Sequence, residues 1–326
     1  MSANKSRRLI LGVDIGGTKI AAVLATAYGE IVARGRSLTP AQAGPDAGMN
    51  SVFSAIEKAM GSGQVAPSQL LGVGIAAAGS IDSDKGKVIF SPNLPRWREV
   101  PLRNIIQQRF GVPAYLGNDA TLAALGEWHF GLKRKVDNLV YITVSTGIGG
   151  GIIANGKLYT GACGTAGEMG HMTIEVNGPC CNCGNIGCWE TLASGTALAR
   201  EAAKQISEGA CTSITELVGG DISKIDAKVV GLAARQGDRL AKELISQLAY
   251  YFGVGLVNVV NTFNPELILV GGGVAKMGDL LLRPAIKVVR KRAFSTAAKA
   301  VHIKPALLGD DSAVLGAVAF VLEHPG

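Results

Sequence analysis

Two stretches of the chain share one pattern of apolar and polar positions: RRLILGVDIGGTKIAAVLA (residues 7–25) and DNLVYITVSTGIGGGIIAN (137–155). Each runs from a β-rich apolar segment through an acidic or hydroxyl residue and glycines into a second apolar segment, which predicts a strand–turn–strand unit. With Gly16 placed on Gly147, Asp14 falls on Ser145 and the second arms coincide, so the pattern is an internal duplication a domain's length apart. After the first unit, helices are predicted over 49–60, 101–110 and 120–131, with buried strands over 70–79 and 113–119. After the second, residues 196–206, 229–263 and 278–294 read as helical, and ELILVGGG (266–273) as a buried strand entering a glycine turn. The alternation predicts an α/β chain with two related halves.

The 326 residues are 48% apolar, enough for two packed domains. The glycines, 44 in all, cluster beside apolar runs, as tight loops between strands require. Basic residues precede an apolar run that stops at Asp14, too short for the ~7–15 apolar residues of a secretory signal. No stretch approaches the ~18–20 apolar residues of a membrane span, so a cytoplasmic chain with reduced thiols and no membrane partner is expected. The net charge is +7, and the densest basic segment, RPAIKVVRKRAF (283–294), reads as a helix with a solvated face. With aromatic residues at 5% there are few platforms for base stacking, so nucleic acid is not expected as a partner.

GVDIGGTK resembles a P-loop but has Thr-Lys where Lys-Ser/Thr is needed, and a strand follows where a helix must open. Its glycines can still present backbone N–H groups to a phosphate, with Asp14 holding Mg²⁺ through water and Thr18 and Lys19 reaching phosphate oxygens. One such hairpin alone reads as a plain β-turn. A second loop at STGIGGG (145–151) and a third at LVGGGVA (269–275) favour a polyphosphate held from several sides. GVGIAA (72–77) matches GxGxxA of dinucleotide folds, but no acidic residue follows at the spacing a ribose requires. In LGNDATLAAL (116–125), Asp119 suits either a helix N-cap or a general base. A cap needs one side chain, and the Asn118–Asp119 pair favours chemistry.

GPCCNCGNIGCWE (178–190) holds four of the six cysteines. Cys181, Cys183 and Cys188 with glycines between them give a C-x-C-x₄-C ligand run, and His171 in GEMGH supplies a fourth donor for structural Zn²⁺. Adjacent Cys180 is left out, because neighbouring cysteines strain to reach one ion. Buried thiols or a CxC redox pair would explain neither the glycines nor the histidine. Glu168 and Glu190 flank the cluster and, facing one pocket with His171, would form a polar array for vicinal hydroxyls.

DIGGTK, LGND, STGIGGG, GEMGH and CNCGNIGCWE, in this order and spacing, resemble the ROK family (repressor, open reading frame, kinase) from about residue 8 to 320, and within it the ATP-dependent glucokinases. The resemblance implies an actin-like ATPase (ribonuclease H-like) fold of two α/β domains around a cleft, usually a homodimer or homotetramer. A small domain over 1–117, completed by 306–326, and a large one over 118–305 are expected. It implies that ATP with Mg²⁺ sits on Asp14, Gly16, Gly17, Thr18 and Lys19, on Thr146 and Gly147, and on Gly271, Gly272 and Gly273. Asp119 would be the base acting on the 6-hydroxyl of a sugar, glucose by the resemblance, and Asn118 would grip that sugar. Glu168, His171 and Glu190 would bind ring hydroxyls, with Asn93 and the Gly79 backbone completing the pocket. A kinase for another hexose or N-acetylhexosamine differs only in pocket detail. A sugar-responsive repressor would need a helix-turn-helix domain of roughly 60–80 residues ahead of the body, and DIGGTK at residue 14 leaves no room for one. A zinc-binding interaction module without catalysis is the third alternative.

Overall fold

The computed structural model describes residues 9–91 and 93–324; the basic residues ahead of Leu9 lie outside this range. The chain forms two compact units, Met1–Asp137 with Gly151–Gly167 and Leu307–Gly326, and Asn138–Gly150 with Glu168–Ala306.

In the first unit, β1 (Leu9–Ile15), β2 (Lys19–Ala25), β3 (Ile31–Leu38), β4 (Leu70–Ala77) and β8 (Ala114–Asn118) form a sheet in the order β3-β2-β1-β4-β8. A three-stranded sheet of β5 (Ser80–Asp82), β6 (Lys87–Ser91) and β7 (Leu94–Val100) lies between them in sequence. Strands β1 and β2 pair antiparallel, as do β2 and β3, while β4 pairs parallel with β1 and with β8. The second five-stranded sheet repeats this order. It runs β11 (Lys157–Tyr159), β10 (Ile148–Ala154), β9 (Leu139–Val144), β12 (Leu267–Gly271) and β13 (His302–Pro305), with β12 parallel to both neighbours. The duplication read from the glycine hairpins therefore extends over whole sheets.

The C-terminal helix Ser312–Glu323 lies unusually close to its neighbours because glycines face it. A Cβ on Gly74 of β4 would fall 1.8 Å from the Ala317 carbonyl, and one on Gly316 would fall 1.7 Å from the Leu122 carbonyl. Leu122 belongs to the helix Asp119–Gly126, so this helix packs on the C-terminal helix and stays with the first unit. The boundary expected at 117/118 accordingly falls after Asp137. The fully buried Glu127 extends the same contact: its carboxylate accepts from Leu307 N, Leu308 N and Ser312 Oγ at 2.7–2.9 Å.

In the second unit the span 229–263, expected as one helix, is two, Ala227–Arg235 and Arg239–Phe263. Gly237 at φ +104° breaks it, and Asp238 caps the second helix by accepting the Ala241 N–H at 2.8 Å. The helix Arg239–Phe263, at 25 residues, is long and apolar enough to cross a membrane, contrary to the sequence expectation that no stretch is. Leu244, Leu248, Phe252, Leu256 and Val260 are buried within the unit, and 61% of its most apolar window is covered, as in a core helix.

Candidate active site

The first unit holds nine of the predicted residues: Asp14, Gly16, Gly17, Thr18, Lys19, Gly79, Asn93, Asn118 and Asp119. β1 ends at Ile15, and the turn 16–18 leads into β2, with the Gly16 N–H donating to the Lys19 carbonyl at 3.1 Å. Thr39 pins this turn: its Oγ1 donates to the Gly16 carbonyl at 2.8 Å and its N–H to the Thr18 carbonyl at 3.1 Å. A Cβ on Gly17 would meet the Asn93 side chain at 2.9 Å, so only glycine lets Asn93 lie on the turn. Thr18 and Lys19 are exposed.

Asn118, at the end of β8, is the N-cap of the helix Asp119–Gly126. Its Oδ1 accepts from Ala120 N at 3.0 Å and Thr121 N at 3.1 Å, and its Nδ2 donates to the Gly79 carbonyl at 3.2 Å. The cap is therefore Asn118, and Asp119 occupies the first helical position with Oδ1 on the Ala120 N–H at 2.9 Å. Gly79, at φ +110°, leaves no space for a side chain, since a Cβ would fall 2.3 Å from the Phe90 carbonyl.

Asp14 and Asp119 repel one another. Asp14 lies on the central strand with Ala21 and Ala76 as its register partners, and burial first, then the Asp119 charge, raises its pKa to about 7 against the opposing pull of Lys19. Burial likewise raises the Asp119 pKa. A cation placed near both would relieve that repulsion.

The second unit brings its predicted residues together around the turn after β9. The Glu190 Oε2 accepts the Ile148 N–H at 2.8 Å, and Thr196 Oγ1 donates to the Thr146 carbonyl at 2.8 Å. Gly170, inside GEMGH, lies against the same turn: a Cβ there would fall 2.1 Å from the Ile148 carbonyl. After β12, Gly272 at φ +91° packs on the Val144 carbonyl, and Gly273 approaches Ser145 Oγ. Gly170, Gly272 and Gly273 thus converge on residues 144–148, the turn that holds Gly147.

The donors of His171, Cys181, Cys183 and Cys188 all lie within 4.8 Å of one another. His171 Nδ1 is 3.7 Å from Cys181 Sγ, and Cys183 Sγ is 3.7 Å from Cys188 Sγ. A tetrahedral ion with ~2.3 Å bonds to sulfur needs sulfurs about 3.8 Å apart, so the set fits one such ion. Burial pushes the Cys188 thiol up to about 12 and also raises Cys181, while the Asn185 N–H lowers Cys183, so a cation is what would ionise all three together. Asn185 Nδ2 also approaches Cys188 Sγ at 3.4 Å. His171 Nε2 points the other way, 3.9 Å from Glu168 Oε2. Cys180 is exposed and outside the cluster.

Thr39, Asn185 and Thr196 are the supporting residues that the sequence did not single out. Each acts on a segment at least three and up to fifty positions away, and no local pattern marks such a contact.

Two five-stranded sheets with the same strand order, each with a glycine turn in its hairpin, define a protein of the actin-like ATPase fold. The chain belongs to the ROK family, whose model matches residues 10–324. A putative xylose repressor from Caldicellulosiruptor sp. is 36% identical over 99% of this chain and 80% of its own length. A glucokinase from Halalkalibacterium halodurans is 37% identical over 95% of this chain and 94% of its own. Among solved structures, a ROK family glucokinase from Streptomyces griseus in complex with glucose and AMPPNP is 36% identical, with a TM-score of 0.85 over 97% of this chain and 99% of that one.

Proposed function

We propose that the chain is a glucokinase that transfers the γ-phosphoryl group of ATP to the 6-hydroxyl of D-glucose, with Asp119 as general base. The observation that carries this is the division of labour at residues 118–119. Asn118 fills the cap, so the cap does not account for the half-buried carboxylate beside it. A carboxylate whose pKa burial has raised is a stronger base once ionised, as proton abstraction from an alcohol requires. The glucose complex of the Streptomyces griseus relative and the glucokinase identity of the Halalkalibacterium halodurans relative support the substrate.

In this reading the hydroxyl oxygen attacks the γ-phosphorus in line, and Asp119 accepts the hydroxyl proton as the bond to ADP breaks. Asp14, Gly16, Gly17, Thr18 and Lys19, with Thr146, Gly147 and Gly271 to Gly273, hold the nucleotide. Asp14 would hold Mg²⁺, which would supply positive charge to the phosphates. Asn93, Asn118, the Gly79 backbone, Glu168, His171 and Glu190 bind the sugar. Zn²⁺ on His171, Cys181, Cys183 and Cys188 would fix the imidazole so that Nε2 faces the sugar beside Glu168. We place the protein in the cytoplasm as a homodimer or homotetramer.

A second reading is favoured by the identity to the putative xylose repressor: a sugar-responsive protein that binds without turnover. A coupled assay decides between the two, with glucose, mannose, fructose, xylose, N-acetylglucosamine and N-acetylmannosamine each offered with ATP, ADP or polyphosphate. Glucose with ATP is expected to give the highest kcat/KM, and Asp119→Asn to lower kcat by about 10²–10⁴. Absence of sugar-dependent ATP turnover would refute the kinase.

A further inference from the structure

Glu190 belongs to the sugar in the reading above, yet its carboxylate is already engaged elsewhere. Its Oε2 accepts the Ile148 N–H at 2.8 Å, and a Cβ on Gly147 would fall 2.1 Å from that same oxygen. The carboxylate therefore lies directly against the glycine of the turn. The residues that follow Glu190 hold the rest of the turn: the Gly195 N–H donates to the Ser145 carbonyl at 2.8 Å, and Thr196 Oγ1 to the Thr146 carbonyl at 2.8 Å.

The residues that precede Glu190 leave its backbone no freedom. Trp189 is fully buried, stacked on Phe252 at 5.3 Å between ring centres, and packed on Gly255. Cys188 belongs to the thiol–imidazole cluster. The carboxylate is thus delivered to the turn from a fixed base, which is what preorganisation of backbone N–H groups for a phosphate demands.

We infer that Glu190 is a positioning residue for the nucleotide-side turn Thr146–Gly147–Ile148 as well as a sugar contact, so that one carboxylate links the two affinities. A carboxylate has about four acceptor positions, enough to keep the amide and take a sugar hydroxyl at once. The inference rests on the kinase reading.

The exchange and nucleotide titrations are done without sugar, and the glucose KM is measured separately. Wild type, Glu190→Ala and Glu190→Gln are compared by amide hydrogen exchange over 145–150 and by titration with AMPPNP and Mg²⁺, with zinc content as the check on folding. Glu190→Ala is expected to speed exchange at Ile148 about tenfold and to raise the nucleotide Kd about five- to tenfold, the size of one ordinary hydrogen bond. Glu190→Gln, whose amide oxygen still accepts, keeps both within about twofold of wild type while the glucose KM rises. Thr196→Val withdraws a second donor from the turn without touching Glu190, and raises the nucleotide Kd about threefold at an unchanged glucose KM. A group that served only the sugar would leave sugar-free exchange and nucleotide Kd unchanged in Glu190→Ala, and that result overturns the inference alone. A wild type that binds no nucleotide overturns the kinase reading and the link together.

Discussion

Removing the charge of Asp14 tests whether its carboxylate is a burden on the ligand-free fold. The side chain belongs to the central strand of its sheet, flanked in register by Ala21 on one side and Ala76 on the other, with the Asp119 carboxylate close enough to act on its charge. Burial and that neighbour lift its pKa from 3.8 to about 7. The folded state therefore holds the proton more tightly than the unfolded chain. The stabilisation from the neutral acid is complete below about pH 4 and is lost as pH rises toward 7. At about 1.36 kcal/mol for each tenfold change in proton affinity, the rise amounts to about 4 kcal/mol, of which about 3 kcal/mol falls between pH 5 and 8.5.

Asp14→Asn cannot ionise and should escape that loss. Urea unfolding of the first unit, followed by the emission of Trp97 and Trp128 in a Trp189→Phe background with EDTA present, gives stability at each pH. Wild type is expected to fall relative to Asp14→Asn by about 2–4 kcal/mol from pH 5 to 8.5, with the variant the more stable above pH 7. Parallel stability curves for the two proteins across that range would refute the reasoning, because a carboxylate already ionised at pH 5 carries no such penalty.

Cys183→Ser should reduce bound zinc from one ion per chain to a trace by elemental analysis, since a serine hydroxyl is a poor replacement for a thiolate, and lower the thermal midpoint of the second unit. In Gly255→Ala the new Cβ would fall 2.0 Å from the buried Trp189 ring. A loss of about 1–3 kcal/mol in urea and a red shift of tryptophan emission are expected, and a Trp189→Phe background should recover part of the loss.

The long-range order of the fold was legible where the pattern repeats. The hairpins at 7–25 and 137–155 foretold two sheets because each buries an apolar strand beside a glycine turn, and β1, β4, β9 and β12 all carry that signature. The small sheet β5–β7 was not foreseen, because LPRWREV alternates in threes, with Leu94, Trp97 and Val100 buried, where a half-buried strand would alternate in twos. The domain boundary was misplaced for a related reason: what ties the helix Asp119–Gly126 to the C-terminal helix is a pair of glycine contacts nearly two hundred residues apart. The thiol–imidazole cluster was legible because its cysteines lie within a single loop, where spacing alone limits the geometry. The engagement of Glu190 with Ile148 was not, since their separation of forty-two positions leaves no trace in either segment.

The duplication also shows how one topology came to hold two kinds of chemistry. Asp14 and Ser145 occupy the same place, at or just past the end of the first strand of a hairpin beside a parallel neighbour. In the first unit that place is a carboxylate facing a second carboxylate on the helix after β8, and a single helix, Pro45–Gly63, separates β3 from β4 apart from one 3₁₀ turn. In the second sheet the corresponding connection, from β11 to β12, runs for more than a hundred residues and carries the thiol cluster, Glu190, Thr196 and the long core helix. Loops tolerate such insertion at low entropic cost when their ends are already fixed by strands. The first hairpin kept its turn closed with one nearby threonine, Thr39, and used its side chains for charge. The second presents backbone at its turn, and the inserted segment supplies the carboxylate and hydroxyl that hold that backbone in place.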